Sequence, residues 1–136
     1  MDVLNKEQRS ELMGRVRGKN TQPELLVRRL VHSLGYRYRL HRSDLPGRPD
    51  LVFARKRLVI FVHGCFWHRH ARCRKATTPA SNREYWQSKF RQNRTRDKRN
   101  QRDLEKLGWR VVVVWECETR DLELLEERLR AELEKD

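Results

Sequence analysis

The chain has 136 residues, and 32 basic against 19 acidic side chains give it a formal net charge of +13. This length favours one domain over residues 1–136, with a core that folds without disulfide bonds. Its apolar blocks, such as Leu58 to Val62, are far too short for a membrane span, and the polar first residues do not resemble a secretory signal. We therefore expect a soluble cytoplasmic protein. The basic excess predicts a polyanionic partner, with nucleic acid ahead of an anionic membrane.

Hydrophobic spacing, capping residues and turn residues predict a mixed sheet flanked by helices. The chain begins with a predicted helix over 22–34, opened by a capping box at Thr21, and an edge strand with one wet face over 36–42. A hairpin of strands over 50–54 and 58–62 follows, and then a loop over 63–80. The last predicted elements are a long helix from a capping box at Ser81 to Gly108, a buried central strand over 109–115 and a terminal helix over 120–135.

The long helix carries a run of charge. From Arg91 to Asp103 the sequence RQNRTRDKRNQRD has no apolar side chain, so this stretch cannot bury an apolar stripe against a core. Most charge runs are solvated helix faces, but here Arg and Lys predominate and only Asp97 and Asp103 oppose them. A solvated helix and a nucleic-acid contact both account for this pattern.

Three cysteines and several histidines suggest a metal site. Cys65, His70 and Cys73 lie in CFWHRHARC, and Cys117 follows the predicted strand in WRVVVVWEC. Three cysteines cannot all pair within one chain, and a reducing compartment keeps them as thiols. The four side chains supply the Cys/His set that tetrahedral zinc requires, which would staple the loop to the sheet. The alternative is three unrelated core cysteines with surface histidines.

Asp50, in PGRPDLVF, begins the predicted hairpin. Nucleases that use magnesium hold the cation with a carboxylate on a rigid strand and need a base to activate water. In the common arrangement an acid and a lysine follow on the neighbouring strand, but this chain has Phe61, Val62 and His63 there. His63 and His68 are not needed for the zinc set, and their position near the end of that strand makes them candidates for acid–base chemistry.

Five motifs, PGRPD, VIFVHGCFWHRH, REYW, NRTRD and LGWRVVVVWEC, together resemble the very short patch repair (Vsr) family of DNA mismatch endonucleases. The resemblance runs from about Arg9 to Cys117 with nearly constant spacing. It implies a restriction-endonuclease-like fold and magnesium-dependent nicking of duplex DNA. The implied cut lies 5′ of the thymine in a T:G mismatch, the lesion left by deamination of 5-methylcytosine.

The resemblance assigns residues to two metal sites and to catalysis. For magnesium it implies Asp50 as the binding aspartate, the backbone carbonyl of Val62 as the second protein ligand, and Glu24 as a glutamate that reaches a metal-bound water. For catalysis it implies His68 as the histidine that activates water or carries its proton, His63 as its neighbour in the metal shell, and Asp97 as an acid near the site. The implied zinc ligands are Cys65, His70, Cys73 and Cys117. Glu24 alone would be explained by its capping box. Ala71 and Arg72 stand where the family usually has one residue, so we expect the zinc loop to bulge there.

The resemblance also implies a DNA-binding surface. The implied contacts are Phe66, Trp67 and Trp86 as an aromatic wedge between base pairs beside the mismatch, Lys89 and Asn93 as base-contacting residues in the major groove, and Arg9 and Met13 within an N-terminal arm, residues 1–20, that closes on the DNA. Core packing would equally explain Trp86. If Lys89 and Asn93 face the bases, Arg94 and Arg96 reach only phosphates or solvent.

Three functions remain open at this stage. They are a Vsr-type mismatch nickase, a nuclease of the same fold with different or relaxed specificity, and a zinc-containing DNA-binding module without catalysis. The first implies Mg²⁺ and Zn²⁺ as cofactors, double-stranded DNA with a T:G mismatch as substrate, and a nucleoid-associated monomer in the cytoplasm. It also implies repair proteins that act after the nick, and no membrane partner.

Overall fold

The computed structural model describes residues 21–71, 73, 76–77 and 80–135, apart from the side chain of Trp67. The helices are α1 (Gln22–Ser33), α2 (Cys65–His68), α3 (Arg83–Lys106) and α4 (Leu122–Glu134), and the strands are β1 (Arg39–Leu40), β2 (Leu51–Phe53), β3 (Leu58–His63) and β4 (Arg110–Trp115). A 3-10 turn, Glu116–Arg120, joins β4 to α4. Within the described residues, none of the helices combines the length and apolar character needed to cross a membrane.

The four strands form one mixed sheet in the order β1-β2-β3-β4. The first three strands run antiparallel to their neighbours, with Leu51 opposite Ile60, and β3 runs parallel to β4, with Val59 opposite Val111. A mixed sheet flanked by helices was the predicted fold class, and the structure confirms it. The restriction-endonuclease-like assignment within that class stays a prediction.

Alternate residues of the strands build a core on each face of the sheet. One core joins strand residues such as Leu58 and Ile60 to Val27 of α1 and Leu129 of α4. The other joins Val52, Val59 and Phe61 to Leu104 of α3 and to Trp109. The sheet is therefore the middle of three layers, with α1 and α4 on one side and α3 on the other.

The strand over 109–115 differs from the prediction. Its apolar run suggests a central strand, but β4 lies at one edge of the described sheet. The run is apolar because helices cover both faces: Val112 and Val114 pack in the core of α1 and α4, and Val111 and Val113 pack against the core of α3. Arg128 of α4 donates to the Val113 carbonyl at 2.9 Å, which satisfies this group without a further strand.

The predicted edge strand over 36–42 is shorter than its alternating pattern suggests. Only Arg39–Leu40 pairs with β2. The predicted wet face is present at the exposed Arg37 and Arg39, but Leu40 is exposed as well. His41 has a left-handed backbone with φ of 48°, which ends the extended run. Tyr36 and Tyr38, before the strand, pack against the core.

Of the two predicted helix caps, one forms in the structure and one does not. The Thr21 cap of α1 forms, with the Glu24 N–H donating to the Thr21 hydroxyl at 3.3 Å. The predicted capping box at Ser81 is wrong, because Asn82 occupies the cap position with φ of 55° and makes no side-chain cap bond. The predicted loop over 63–80 also contains the one-turn helix α2.

The sheet directions bring four strand ends together. Because β1, β2 and β3 alternate in direction and β4 is parallel to β3, one end of the sheet holds the residues after β1, β3 and β4 and the residue before β2. His41, Asp50, His63 and Cys117 are at or beside these strand ends. Because the resemblance assigns Asp50 and His63 to catalysis, we call this the catalytic end of the sheet.

Candidate active site and metal centres

Two carboxylates and a histidine form a compact group at the catalytic end. The His41 Nε2 atom lies 3.1 and 3.0 Å from the two Glu24 carboxylate oxygens and 3.8 Å from Asp50 Oδ1. Glu24 is 1% exposed, and its carboxylate also accepts a bond from Arg28. Their ligand atoms all lie within 4.8 Å of one another, which suits a metal ion. We call Glu24, His41 and Asp50 the carboxylate–histidine group.

Asp50 lies where ionisation of its carboxyl group costs free energy. Its Oδ2 accepts a 2.7 Å bond from the Val62 N–H, which anchors the side chain to β3. Burial, reinforced by Glu24, raises the pKa of Asp50 from 3.8 to about 7, although the Val62 bond acts in the opposite direction. A divalent cation would compensate the two carboxylates, and their oxygens are the ligands that Mg²⁺ prefers.

Two histidines and an aspartate form a second group beside the first. His68 Nδ1 lies 2.5 Å from Asp97 Oδ2, which ties α2 to α3. The rings of His63 and His68 stack at a centroid distance of 3.8 Å with an interplanar angle of 5°. Burial and the neighbouring His68 lower the pKa of His63 to about 3, so His63 stays neutral at physiological pH.

Both groups face one open cleft of about 600 Å³. Asp50, His68 and the Val62 position assigned to a metal ligand all contribute to its wall. The basic side chains on the same wall are Arg48, Arg96 and Arg99. The cleft therefore combines oxygen donors for a cation, a histidine that can act as a base, and cationic groups. Hydrolysis of a phosphodiester requires groups of these kinds.

The four predicted zinc ligands also come together. The Sγ atoms of Cys65 and Cys117 lie 3.7 and 3.4 Å from His70 Nδ1, and the ligand atoms of all four residues are within 4.8 Å of one another. Tetrahedral zinc with ordinary Zn–S and Zn–N bonds separates S from N by about 3.6 Å. The set, which we call the Cys/His cluster, therefore has the dimensions of a zinc site.

Burial disfavours the thiolate form of two cysteines in the Cys/His cluster. Burial raises the pKa of the Cys65 thiol to about 12 and raises that of Cys117 as well, so neither ionises readily by itself. A metal deprotonates such thiols outright. In the loop, the Cys73 N–H donates to the His70 carbonyl at 3.3 Å. The expected bulge after His70 stays a prediction, since Arg72 lies outside the described residues.

Trp115 joins the Cys/His cluster to His63 and His68. The His70 ring stacks on Trp115 at 4.2 Å, and the His63 ring meets Trp115 edge-on at 5.3 Å. Since His63 stacks on His68, four rings form a continuous series from the cluster to the cleft. The position of His68 therefore depends on the loop that the cluster holds.

Two of the residues assigned to a wedge, Phe66 and Trp86, lie in a small aromatic cluster. The Phe66 ring packs edge-on against Trp86 and Phe90, with centroids 5.8 and 5.1 Å apart. Arg69, which sequence reasoning missed, lies over Phe90 at 4.1 Å and donates to the Ala76 carbonyl at 2.7 Å. Packing thus engages Phe66 and Trp86, while the side chain of Trp67 lies outside the described residues.

The DNA-binding residues assigned to α3 differ in exposure. Arg94 and Arg96 are exposed and Lys89 is half-buried, but Asn93 is only 3% exposed. The Asn93 side-chain oxygen accepts a 3.1 Å bond from Arg96, so a base contact by Asn93 requires it to turn outward. The buried residues of α3 are Phe90, Asn93 and Leu104. The run without apolar side chains therefore packs against the protein through Asn93. Arg9 and Met13, in the assigned N-terminal arm, lie outside the described residues.

Sequence reasoning also missed His41, which contacts both acids of the carboxylate–histidine group. Its only sequence signal is position: it follows a short strand whose antiparallel partner begins just after Asp50. Nothing in its neighbours YRYRL and RSD suggests a metal or an acid.

Comparison with known proteins links this geometry to DNA cleavage. The family described as DNA mismatch endonuclease Vsr matches residues 1–75. The chain is 57% identical over 129 residues to the type II nicking enzyme V.XorIIP of Xanthomonas oryzae pv. oryzae, covering 95% of this chain and 94% of that protein. It is 42% identical over 135 residues to DNA mismatch endonuclease Vsr of Escherichia coli, covering 98% and 86%. It is 41% identical over 128 residues to the type II nicking enzyme V.NmeAIP of Neisseria meningitidis, covering 94% and 91%.

Proposed function

This chain belongs to the Vsr family of DNA mismatch endonucleases, and from that premise we propose that it nicks duplex DNA 5′ of the thymine in a T:G mismatch, using Mg²⁺. That it is a DNA endonuclease follows from the family. The mismatch, the cation and the residue roles are the proposal. It rests chiefly on one observation, the convergence of the carboxylate–histidine group and the His63–His68–Asp97 group on one cleft.

Asp50, the Val62 carbonyl and Glu24 would hold the catalytic cation. The family resemblance suggests that Glu24 reaches the cation through a metal-bound water. A divalent cation bound there supplies Lewis acidity and lowers the pKa of water. The bond from the Val62 N–H keeps Asp50 Oδ2 in place and leaves Oδ1 on the side of His41.

His68 would accept the proton of the attacking water. With Nδ1 donating to Asp97, Nε2 is the ring nitrogen left to act as base. The water oxygen would attack phosphorus as the bond to the leaving sugar oxygen breaks, the water proton would move to Nε2, and the leaving oxygen would take a proton from solvent. Because the stacked His63 ring is neutral, it does not repel the positive charge that His68 acquires.

The Cys/His cluster would hold a structural zinc ion. Its four donors would tie the loop that carries His68 and the aromatic residues to the end of β4. We further propose the restriction-endonuclease-like assignment for the fold, a single domain over residues 1–136 and a monomer that acts in the cytoplasm near the nucleoid. Other repair proteins would then act on the nick.

Recognition would come from the aromatic wedge and α3. Phe66, Trp67 and Trp86 would enter beside the mismatch, where unstacking costs least. Lys89 and Asn93 would contact bases, and the segment with Arg9 and Met13 would close on the DNA. Arg94 and Arg96 would bind phosphates.

A nicking assay tests the proposal. Duplexes that differ only in one pair, T:G, T:A or C:G, are incubated with the protein and Mg²⁺, or with EDTA. Cleavage of T:G alone, 5′ of the thymine and only with Mg²⁺, is the expected result. Binding without cleavage would contradict the proposed catalysis.

One observation supports a second candidate. The relative at 57% identity is named a nicking enzyme, and that name mentions no mismatch. A nickase of the same fold with relaxed specificity would cut T:A or C:G duplexes at rates close to T:G. The same assay separates the two functions.

Asp97→Asn should slow nicking by about 10²–10⁴-fold, as should His68→Ala, because the base loses its orientation or is removed. Binding to uncut duplex should change little, since neither group is assigned a DNA contact. Single-turnover rates across pH, with Asp103→Asn on the same helix as control, check this. An unchanged pH profile in Asp97→Asn would remove His68 from the role of base.

Replacing Arg94 and Arg96 with Gln should weaken binding to T:G and T:A duplexes equally. Lost phosphate contacts release fewer counterions, so the slope of log affinity against log salt should fall by about 0.9 per contact. A salt series on both duplexes measures this. Preferential loss of T:G binding would instead mark these arginines as reading the bases.

Trp67→Ala should leave the salt slope nearly unchanged and reduce the preference for T:G by ~1–3 kcal/mol, as expected for one lost base-stacking contact. The exposed aromatic Tyr85, changed to Ala, is the matched control. Affinities for T:G and T:A across the same salt series decide the outcome. Equal loss on both duplexes would show that Trp67 does not discriminate the mismatch.

A further inference from the structure

His41 is held against the two carboxylates by both its backbone and its ring. Its N–H donates to the Asp50 carbonyl at 3.3 Å, and its left-handed backbone turns the chain out of β1. The ring is 12% exposed, between a Glu24 side chain that is 1% exposed and an Asp50 side chain that is 19% exposed.

A charge pair with Glu24 does not by itself explain why His41 lies here. Glu24 already has a permanent cation, because Arg28 donates to its carboxylate. Asp50 and His41 both line the open cleft, and the buried Glu24 carboxylate contacts the His41 ring. A cation in the cleft therefore reaches Asp50 and the His41 ring, with a Glu24 carboxylate oxygen within 4.8 Å of both ligand atoms.

The spacing of the three donors matches a coordination shell. Neighbouring ligands in an octahedral site with bonds of about 2.1 Å lie about 3.0 Å apart. The His41 Nε2 atom is 3.0 Å from Glu24, which is the octahedral spacing, and 3.8 Å from Asp50, so Asp50 needs to approach only slightly for a cation to bind all three donors. An imidazole nitrogen suits first-row transition ions better than Mg²⁺, which prefers oxygen.

We propose that His41 Nε2 is a direct ligand of the divalent cation, together with Glu24 and Asp50, and that this chain consequently binds Mn²⁺ more tightly than Mg²⁺. This inference rests on the proposed cation site at Asp50. It adds to that site a nitrogen ligand, a direct bond from Glu24 in place of one through water, and an ion preference.

The test is pulsed electron paramagnetic resonance of Mn²⁺ added to the full-length, zinc-loaded protein. A directly bound imidazole produces nitrogen modulation of the Mn²⁺ signal, and this modulation is expected in the unaltered chain. It should disappear in His41→Gln and persist in His68→Gln and in His32→Gln, an exposed histidine of α1 used as control. Absence of nitrogen modulation in the unaltered chain, or its persistence in His41→Gln, would overturn the inference.

Titrations with Mn²⁺ and Mg²⁺ give a second measurement. His41→Gln should weaken Mn²⁺ binding by at least about 10-fold and change Mg²⁺ binding by much less, since Gln can offer an oxygen in place of the nitrogen. Equal loss for the two ions would overturn the ion preference. Far-UV circular dichroism and the melting temperature verify that His41→Gln is folded.

Asp50→Asn separates this inference from the proposed function. If it removes Mn²⁺ binding while His41→Gln does not weaken it, the site at Asp50 stands and His41 is not a ligand. If Mn²⁺ binds Asp50→Asn as tightly as the unaltered chain, the proposed cation site itself is wrong, and the inference falls with it.

Discussion

Asp50→Asn is expected to reduce nicking by at least about 10³-fold while the protein stays folded and binds DNA. Loss of a carboxylate ligand removes several kcal/mol of transition-state stabilisation by the cation, and each 1.36 kcal/mol is a factor of ten in rate. The asparagine oxygen can still accept the bond from the Val62 N–H, so β3 should keep its anchor.

Asp50→Asn should also change the pH dependence of stability. The pKa of Asp50 is raised to about 7 in the folded protein, so the native state binds more protons than the unfolded chain between the ordinary value of 3.8 and about 7. Stability therefore falls as pH rises through this range, and the whole cost is present above pH 7. Without divalent cations, the variant should melt at a higher temperature than the unaltered chain at pH 8, and the difference should vanish near pH 4.

Single-turnover nicking of a T:G duplex and melting curves across pH measure the two effects. Asp44→Asn is the matched control, because Asp44 is exposed, precedes the same turn and pairs with Arg42. Nicking by Asp50→Asn at close to the original rate would show that the catalytic cation does not depend on this residue.

Cys117→Ser is expected to release zinc and to destabilise the whole domain. Four-ligand zinc sites rarely survive the loss of one thiolate, and the released cluster would no longer join the loop at Cys65 to the turn after β4. A loss of about 3 kcal/mol lowers the melting temperature by on the order of 10 °C for a domain of this size. Nicking should fall too, since Trp115 links His70 of the cluster to His63.

Metal analysis by mass spectrometry should find one zinc ion per chain in the unaltered protein and almost none in Cys117→Ser. Thr119→Ser is the control, because it lies in the same 3-10 turn and keeps a hydroxyl that can donate to the Glu116 carbonyl. An unaltered protein that folds without zinc would exclude a structural zinc ion.

Buried ionisable groups at the catalytic end destabilise the folded protein, as expected for a site that binds a cation. Glu24 and Asp50 place two carboxylates together, and His63 is buried beside His68 with its pKa lowered to about 3. Such costs are typical of functional sites, where sequence rules for stability are broken for the sake of chemistry.

The amino-acid sequence by itself determined the order of the elements, the mixed sheet and the family. Local signals carried these predictions: the Thr21 cap and helical spacing place α1, and the apolar runs place β3 and β4. The resemblance contained in PGRPD and HGCFWHRH named the side chains from which the site could be built.

Only the tertiary structure decided how those parts meet. It placed β4 at the sheet edge, because helices on both faces can bury an apolar strand as well as neighbouring strands can. It ended β1 at His41 and brought that residue against Glu24 and Asp50, a contact between α1, β1 and β2 that no local pattern encodes. It also buried Asn93, which a charged run predicts to be solvated. Periodicity reports which face of an element is apolar, whereas contacts between distant elements depend on strand direction and packing, and these arise only when the chain is folded.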